Sequence, residues 1–149
     1  MSLITNIPVE IKERVFDMVG RRTFLPLKIS ISNSSFKKVV RKHGSGFEIT
    51  QTSTLSHPFK ETYCVTSDAI ITLLLDDVCA YLAESCEDVH GHYVFFEFVD
   101  SEGQRNMGYE VEVDGSDIED DAVAEDTRDK LQGLIRRCLA LLGKIYIPV

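Results

Sequence analysis

The residues best suited to metal chemistry lie in one short segment of this 149-residue chain, CEDVHGH. Cys86 and His90 are four positions apart, so they would share one face of a helix, and His92 follows two positions later. Thiolates and imidazoles are common zinc ligands. However, Gly91 and the neighbouring acids are more typical of a solvated connection between a helix and a strand, and no second ligand pair occurs at metal-site spacing. We therefore expect no metal and no cofactor, and keep Cys86, His90 and His92 only as weak candidate ligands.

Nucleophilic catalysis has little support in the sequence. The chain has four cysteines without a C-x-x-C pair, and we interpret them as free thiols: Cys64, Cys79, Cys86 and Cys138. No Gly-x-Ser-x-Gly elbow accompanies the histidines. We assign no catalytic residue, and an enzyme with a nonlocal site near His57 or His90 is a third hypothesis.

Carboxylates are concentrated between residues 110 and 129, where ten acids accompany one base. Residues 110–121 hold the candidate partner-binding acids: Glu110, Glu112, Asp114, Asp117, Glu119, Asp120 and Asp121. The segment lacks the register of an EF-hand loop, which disfavours a specific calcium site. One interpretation is a solvated strand face followed by acids at a helix N-terminus. The other is a docking face for a basic protein partner, where complementary charge sets orientation and association rate.

The basic residues are concentrated at the other end of the chain. Residues 1–50 hold nine Lys or Arg and four Asp or Glu, whereas residues 51–149 hold seven and twenty, for a net charge of -8. We interpret this imbalance as a polarity between two surfaces, or as halves that neutralise each other. The densest basic group could bind phosphate: Lys37, Lys38, Arg41 and Lys42. No glycine-rich phosphate loop accompanies it, so a solvated helix face is the competing interpretation.

The elements that would position these residues follow from the hydrophobic periodicity. In the first part of the chain we predict a helix over 8–19, a strand over 25–31, a short helix over 36–43 that Asn33 to Ser35 would cap, and a strand over 47–51. Residues 51–61 are predicted to form a loop, the best candidate for a mobile segment, followed by a brief strand over 62–65.

The second part of the chain carries stronger patterns. Thr66 to Asp68 would cap a long helix that ends near Ser85, and strands at 92–99 and 107–113 would form a hairpin. An acidic loop over 114–121 would lead to a last helix over 122–142, stopped by Gly143, and an apolar tail. The predicted class is α+β: one domain over 1–149, with helices packed on one face of a mostly antiparallel sheet.

Composition limits the function further. The hydrophobic fraction of 44% and the charged fraction of 27% are those of an ordinary globular protein. The N-terminus does not resemble a signal peptide and no apolar run could span a bilayer, so we expect a cytoplasmic protein without a membrane partner.

Our leading hypothesis is a small acidic, non-catalytic protein-interaction module: an adaptor, an inhibitor or a secretion-chaperone-like protein, expected to be a homodimer. The secretion-chaperone comparison depends on element order and acidity. The alternative is nucleic-acid or phosphate-ligand binding through the basic N-terminal third, which the acidic balance disfavours.

Overall fold

The computed structural model describes residues 10–15, 24–33, 36–53, 59–83, 92–113 and 125–145. These residues form seven strands and two helices. In chain order they are β1 (Glu10–Val15), β2 (Lys28–Ser32), β3 (Phe36–His43), β4 (Gly46–Ser53), β5 (Phe59–Val65), α1 (Ile70–Ala83), β6 (His92–Val99), β7 (Arg105–Val113) and α2 (Glu125–Leu141). All seven strands belong to one sheet of order β1-β7-β6-β2-β3-β4-β5, in which every neighbouring pair is antiparallel. The predicted α+β class is confirmed.

Side chains of alternate residues point to opposite faces of the sheet. On one side, here called the inner face, the strand residues join the buried core: Ile29, Ile31, Val40, Phe47, Ile49, Val94, Phe96, Phe98, Met107, Tyr109 and Val111. The opposite side, here called the outer face, carries mostly polar residues: Lys28, Ser30, Ser32, Lys37, Val39, Arg41, Glu48, Phe95, Glu97, Val99, Glu110 and Glu112.

Both segments in which helices are predicted in the second part of the chain contain a helix, α1 and α2. Thr66 caps α1, since its Oγ1 accepts the Ala69 N–H at 3.3 Å. α2 ends at Leu141, and Gly143 follows with a φ of 76°, which glycine adopts without strain. Apolar side chains of both helices lie in the core, and α1 packs against α2 and β6. Neither described helix has the length and hydrophobicity required to cross a bilayer.

The predicted hairpin over residues 92–113 is also confirmed. β6 and β7 pair from His92 opposite Val113 to Val99 opposite Arg105. Asp100 closes the turn because its Oδ1 accepts the N–H groups of Glu102 and Gln104 at 2.9 and 3.0 Å.

The predicted helix over 8–19 is wrong over its described part, because Glu10–Val15 is strand β1. β1 pairs with β7, and Ile11 lies opposite Val111. The apolar residues Ile11 and Val15 are four apart, a spacing compatible with one helix face and with one strand face. The pairing with β7, almost one hundred residues away in sequence, decides between them.

The predicted helix over 36–43 is wrong as well, because this segment is strand β3 between β2 and β4. Asn33 was predicted to cap it, and its Oδ1 does accept the Phe36 N–H at 2.9 Å. The Asn33 N–H donates to the Phe36 carbonyl at 3.1 Å, so Asn33 links the end of β2 to the first residue of β3 instead. Gly44, predicted to end the helix, has a φ of 59° in the tight β3–β4 turn.

The predicted loop over 51–61 is wrong at both of its described ends. Residues 51–53 belong to β4 and residues 59–61 to β5, and the two strands are paired from Ser53 opposite Phe59. Residues 54–58, the acidic loop over 114–121 and the tail from residue 146 lie outside the described residues.

Candidate functional site

The four basic residues predicted to bind phosphate do not lie together. They alternate along β3, so Lys37 and Arg41 belong to the outer face, whereas Lys38 and Lys42 belong to the inner face. Lys42 is near the end of the strand, with its Nζ 5.1 Å from the centroid of the Phe47 ring. A single cluster of four cations is therefore absent from β3.

Lys38 is one of the largest fully buried side chains among the described residues. Its Nζ forms an ion pair with the Asp77 carboxylate of α1 and donates a hydrogen bond to the Tyr63 hydroxyl of β5 at 3.1 Å. The same Nζ lies 5.8 Å from the centroid of the Tyr63 ring. Burial and these partners give Lys38 a role in attaching α1 to the sheet, because a buried ammonium needs compensating charge and acceptors.

The sheet brings two other cations to the outer face beside Lys37 and Arg41. Lys28 of β2 lies directly opposite Arg41 of β3, and Arg105 begins β7. Arg41 forms an ion pair with Glu48 at 3.5 Å, and Arg105 forms one with Glu97 at 2.8 Å. Neither Lys28 nor Lys37 has an ion-pair partner among the described residues.

Two shallow depressions lie around these cations and share Lys28. The first, about 370 Å³ in volume, is on the outer face and is lined mainly by Lys28, Ser30, Lys37, Val39, Glu97 and Arg105. The second, about 400 Å³, lies at the end of the sheet and is lined in part by Lys28, Arg41, Lys42 and Asp100. We call the outer-face group Lys28, Lys37, Arg41 and Arg105 the basic zone.

Half-buried apolar side chains accompany the basic zone. Val39 lies between Lys37 and Arg41 on β3, and Val99 lies opposite Lys28. Phe95 is on the same face of β6, with the Arg14 guanidinium 5.8 Å from its ring centroid. This combination of cations and apolar surface is suited to binding.

The acids predicted to bind a basic partner are described only in part. Glu110 and Glu112 lie on the outer face of β7, whereas the five acids from Asp114 to Asp121 lie outside the described residues. Glu110 pairs with Arg14 at 3.1 Å, and Glu112 accepts the Tyr93 hydroxyl at 2.9 Å. The hydrogen bond to Glu112 raises the pKa of Tyr93. Both described acids thus have partners within the chain.

The residues singled out as candidate metal ligands or catalytic groups lie only partly in the described part of the chain. Within it no three His, Cys, Asp or Glu side chains are grouped to hold a metal ion. Cys86, His90 and His57 lie outside the described residues, and His92 begins β6. No hydrogen bond joins the exposed His43 to a carboxylate or thiol in the described part.

The two buried thiols of the described residues are not activated. Cys64 is exposed, and Cys79 and Cys138 are buried. Burial raises the pKa of Cys138 to about 12, far from the range in which a thiolate forms at neutral pH. Burial also raises the pKa of Cys79, although Arg128, whose Nη1 donates to the Cys79 Sγ at 3.6 Å, acts in the opposite direction.

Lys28, Ser30 and Arg105 were absent from the sequence-based site. Lys28 and Ser30 are the polar positions of the alternating segment from Leu25 to Ile31, so their position on the solvent side could be predicted. Their position beside Lys37 depends on the β2–β3 register.

Comparison with known proteins gave no match: no protein-family model, no curated protein and no solved structure matches this chain.

Proposed function

We propose that the protein is a non-catalytic interaction module, an adaptor or an inhibitor, that binds an acidic segment of a protein partner on the outer face of its sheet. One observation carries the proposal. Lys28 and Lys37 lie on adjacent strands of this face without an ion-pair partner among the described residues, beside the half-buried Val39 and Val99. A partner that supplies anionic groups to the two ammoniums and apolar contacts to the two valines would complement this surface.

The energetics fit a weak, orientation-dependent interaction. An exposed ion pair contributes about 0.2 to 1 kcal/mol, so two pairs to Lys28 and Lys37 account for at most about 2 kcal/mol. The rest of the affinity has to come from apolar contact, since burial of apolar area contributes about 25 cal/mol per Å². We therefore expect the cations to set the register of the partner and its salt dependence.

Nucleic-acid or phosphate-ligand binding is the second candidate, since Lys28, Lys37 and Arg41 could also contact phosphates. The net charge of -8 opposes long-range attraction of a polyanion. The described cations of the face are also few, and two of the four in the basic zone already pair with carboxylates. Both facts favour an acidic protein segment over a nucleic acid.

The acidic docking face remains a separate proposal for a basic partner. Its two described carboxylates already have partners within the chain, because Glu110 pairs with Arg14 and Glu112 accepts a hydrogen bond from Tyr93. They can therefore offer a basic partner only their remaining acceptor positions. The comparison with secretion chaperones now depends on acidity, because the described elements begin with five strands rather than a helix. The homodimer and the cytoplasmic location remain predictions.

Binding to a simple acidic polymer tests the proposal. Fluorescence anisotropy of labelled poly-L-glutamate should report binding that weakens as salt rises. Charge reversal in Lys28→Glu/Lys37→Glu should weaken it by about tenfold or more, whereas the matched reversal Lys130→Glu/Arg136→Glu on exposed positions of α2 should change it less than threefold.

Two further probes separate the alternatives. Tighter binding of labelled poly-L-lysine would favour the acidic docking face, and tighter binding of a single-stranded oligonucleotide would favour nucleic acid. Equal losses in the two double variants would show that net charge alone drives binding, and the proposed surface would then be wrong.

A further inference from the structure

We propose that the 370 Å³ depression on the outer face is a subsite for a phosphoryl group, held by Lys28, Lys37 and the hydroxyl of Ser30. The inference rests on the proposed function and makes it more specific: the group recognised is a tetrahedral dianion, carried on a phosphorylated side chain of the partner or free as phosphate.

The register of the sheet places the two lysines around Ser30. Lys28 is two residues before Ser30 on β2, so the two residues lie on the same face. Lys37 of β3 lies opposite Ser32 of β2 and is therefore diagonal to Ser30. Same-face neighbours at such positions are about 7 to 8 Å apart, a separation that a lysine side chain spans. Both ammoniums can therefore reach a ligand above the Ser30 hydroxyl.

Ser30 is the second, independent observation. Its side chain lines the depression, yet the residue is only 6% exposed. The described residues include no hydrogen-bond partner for its Oγ. A buried hydroxyl normally has a partner, and an oxyanion in the depression would accept its proton in a hydrogen bond.

The charge around the depression matches a dianion. Its lining contains Lys28, Lys37 and Arg105 as bases and Glu97 as the acid, and Arg105 is paired with Glu97 at 2.8 Å. The pair is neutral, so the two lysines leave a net charge of about +2. A phosphoryl monoester carries about −1.5 to −2 at pH 7.

The donors also favour a phosphoryl group over a carboxylate. Ser30, Lys28 and Lys37 all line the depression, and the register places the two lysines at different positions around Ser30, so a ligand there could meet three donors. A phosphoryl group has three terminal oxygens in a tetrahedral arrangement and can engage all three donors, whereas a carboxylate has two oxygens in one plane. The second depression, on the other side of Lys28, would then receive neighbouring residues of the bound segment.

An NMR titration of the full chain tests the subsite at constant ionic strength. The probes are inorganic phosphate, O-phospho-L-serine and acetate, followed by amide shifts in ¹H–¹⁵N spectra. We expect saturable shifts at Ser30, Val39 and Glu97 with both phosphoryl probes and little response to acetate. Tighter binding of O-phospho-L-serine would indicate a phosphorylated side chain as the natural source, and tighter binding of inorganic phosphate would indicate the free ion.

Three variants make the test specific. Lys28→Met/Lys37→Met should abolish saturable binding, Ser30→Ala should weaken it about tenfold, and the control Lys130→Met on α2 should leave it unchanged. Because Ser30 Oγ has no partner in the described structure, Ser30→Ala should keep the urea unfolding midpoint of the parent protein. A fall in that midpoint would assign the hydroxyl to the fold and overturn its role in binding.

Different results would overturn the phosphoryl subsite and the proposed function. Shifts spread over all exposed lysines, or unchanged phosphate binding in Lys28→Met/Lys37→Met, would overturn the subsite. If poly-L-glutamate binding is still lost in Lys28→Glu/Lys37→Glu, the proposed function survives that failure. If neither probe depends on the two lysines, both are wrong.

Discussion

Removing Asp77 should destabilise the protein more than removing Lys38, although the two residues form one ion pair. The asymmetry follows from their surroundings: the Lys38 side chain is 2% exposed and the Asp77 side chain 31% exposed. After Asp77→Ala the ammonium is left buried, with the Tyr63 hydroxyl at 3.1 Å as its remaining described partner. After Lys38→Met the carboxylate can still be hydrated, and methionine retains most of the apolar packing of the lysine stem.

The magnitudes follow from the cost of an uncompensated charge. Breaking a buried ion pair by removing one partner costs about 3 to 5 kcal/mol, and we expect this range for Asp77→Ala. For Lys38→Met we expect about 1 to 2 kcal/mol, because water reaches the remaining charge. The double variant Lys38→Met/Asp77→Ala should be more stable than Asp77→Ala alone, since it leaves no buried charge.

Urea unfolding followed by circular dichroism at pH 7 measures these differences. With an m-value of about 2 kcal/mol/M, the Asp77→Ala midpoint should fall by about 2 M. Asp76→Ala is the matched control on the same helix: Asp76 pairs with Arg128 at 3.0 Å, but its side chain is 60% exposed, so its loss should cost less than about 1 kcal/mol. The reasoning is refuted if Lys38→Met is as destabilising as Asp77→Ala, or if the double variant is the least stable of the three.

Three further predictions concern the sheet, the thiols and the hairpin turn. A Cβ on Gly108 would clash with the Phe96 carbonyl oxygen, so Gly108→Ala should cost about 1 to 3 kcal/mol. In contrast, Gly133→Ala on the exposed surface of α2 should stabilise the protein by about 0.5 to 1 kcal/mol, because alanine favours the helix. Equal effects of the two substitutions on the urea midpoint would contradict this. Between pH 9 and about 12 the unfolded Cys138 thiol loses its proton while the folded thiol keeps it, so stability falls as pH rises. Cys138→Ala should reduce that slope, and mass spectrometry after brief iodoacetamide treatment should find the exposed Cys64 modified before the buried Cys138. Asp100→Ala removes the acceptor of two turn N–H groups and should lower thermal stability by about 1 to 2 kcal/mol; an unchanged melting temperature would show that water replaces the carboxylate.

The candidate site could be predicted only in part. The sequence identified Lys37 and Arg41 as candidate phosphate ligands, and both lie on the outer face. It grouped them with Lys38, which the structure buries against Asp77, thirty-nine residues away. Lys28 joins them through a strand pairing that no local pattern encodes.

What the sequence determined by itself is the local structure of the second half of the chain. The apolar stripes of α1 and α2 and the alternation of β6 and β7 extend over enough residues to define their periods, and Thr66 and Gly143 supply the expected ends. These elements depend on contacts between residues that are near each other in sequence, so the pattern alone was sufficient.

Only the tertiary structure decided β1 and β3, where the sequence predicts helices. The apolar residues of short segments such as β1 and β3 fit both the helical period of 3.6 residues and the strand period of 2. The hydrogen bond from the Phe36 N–H to Asn33 Oδ1 is likewise compatible with a helix cap and with a link between strands. Their backbone groups find partners on strands distant in sequence, β1 on β7 and β3 between β2 and β4. Once those pairings form, strand alternation assigns each lysine to a face. That assignment separates the buried Lys38 from the exposed Lys37, because hydrogen bonding across the sheet fixes the direction of every side chain.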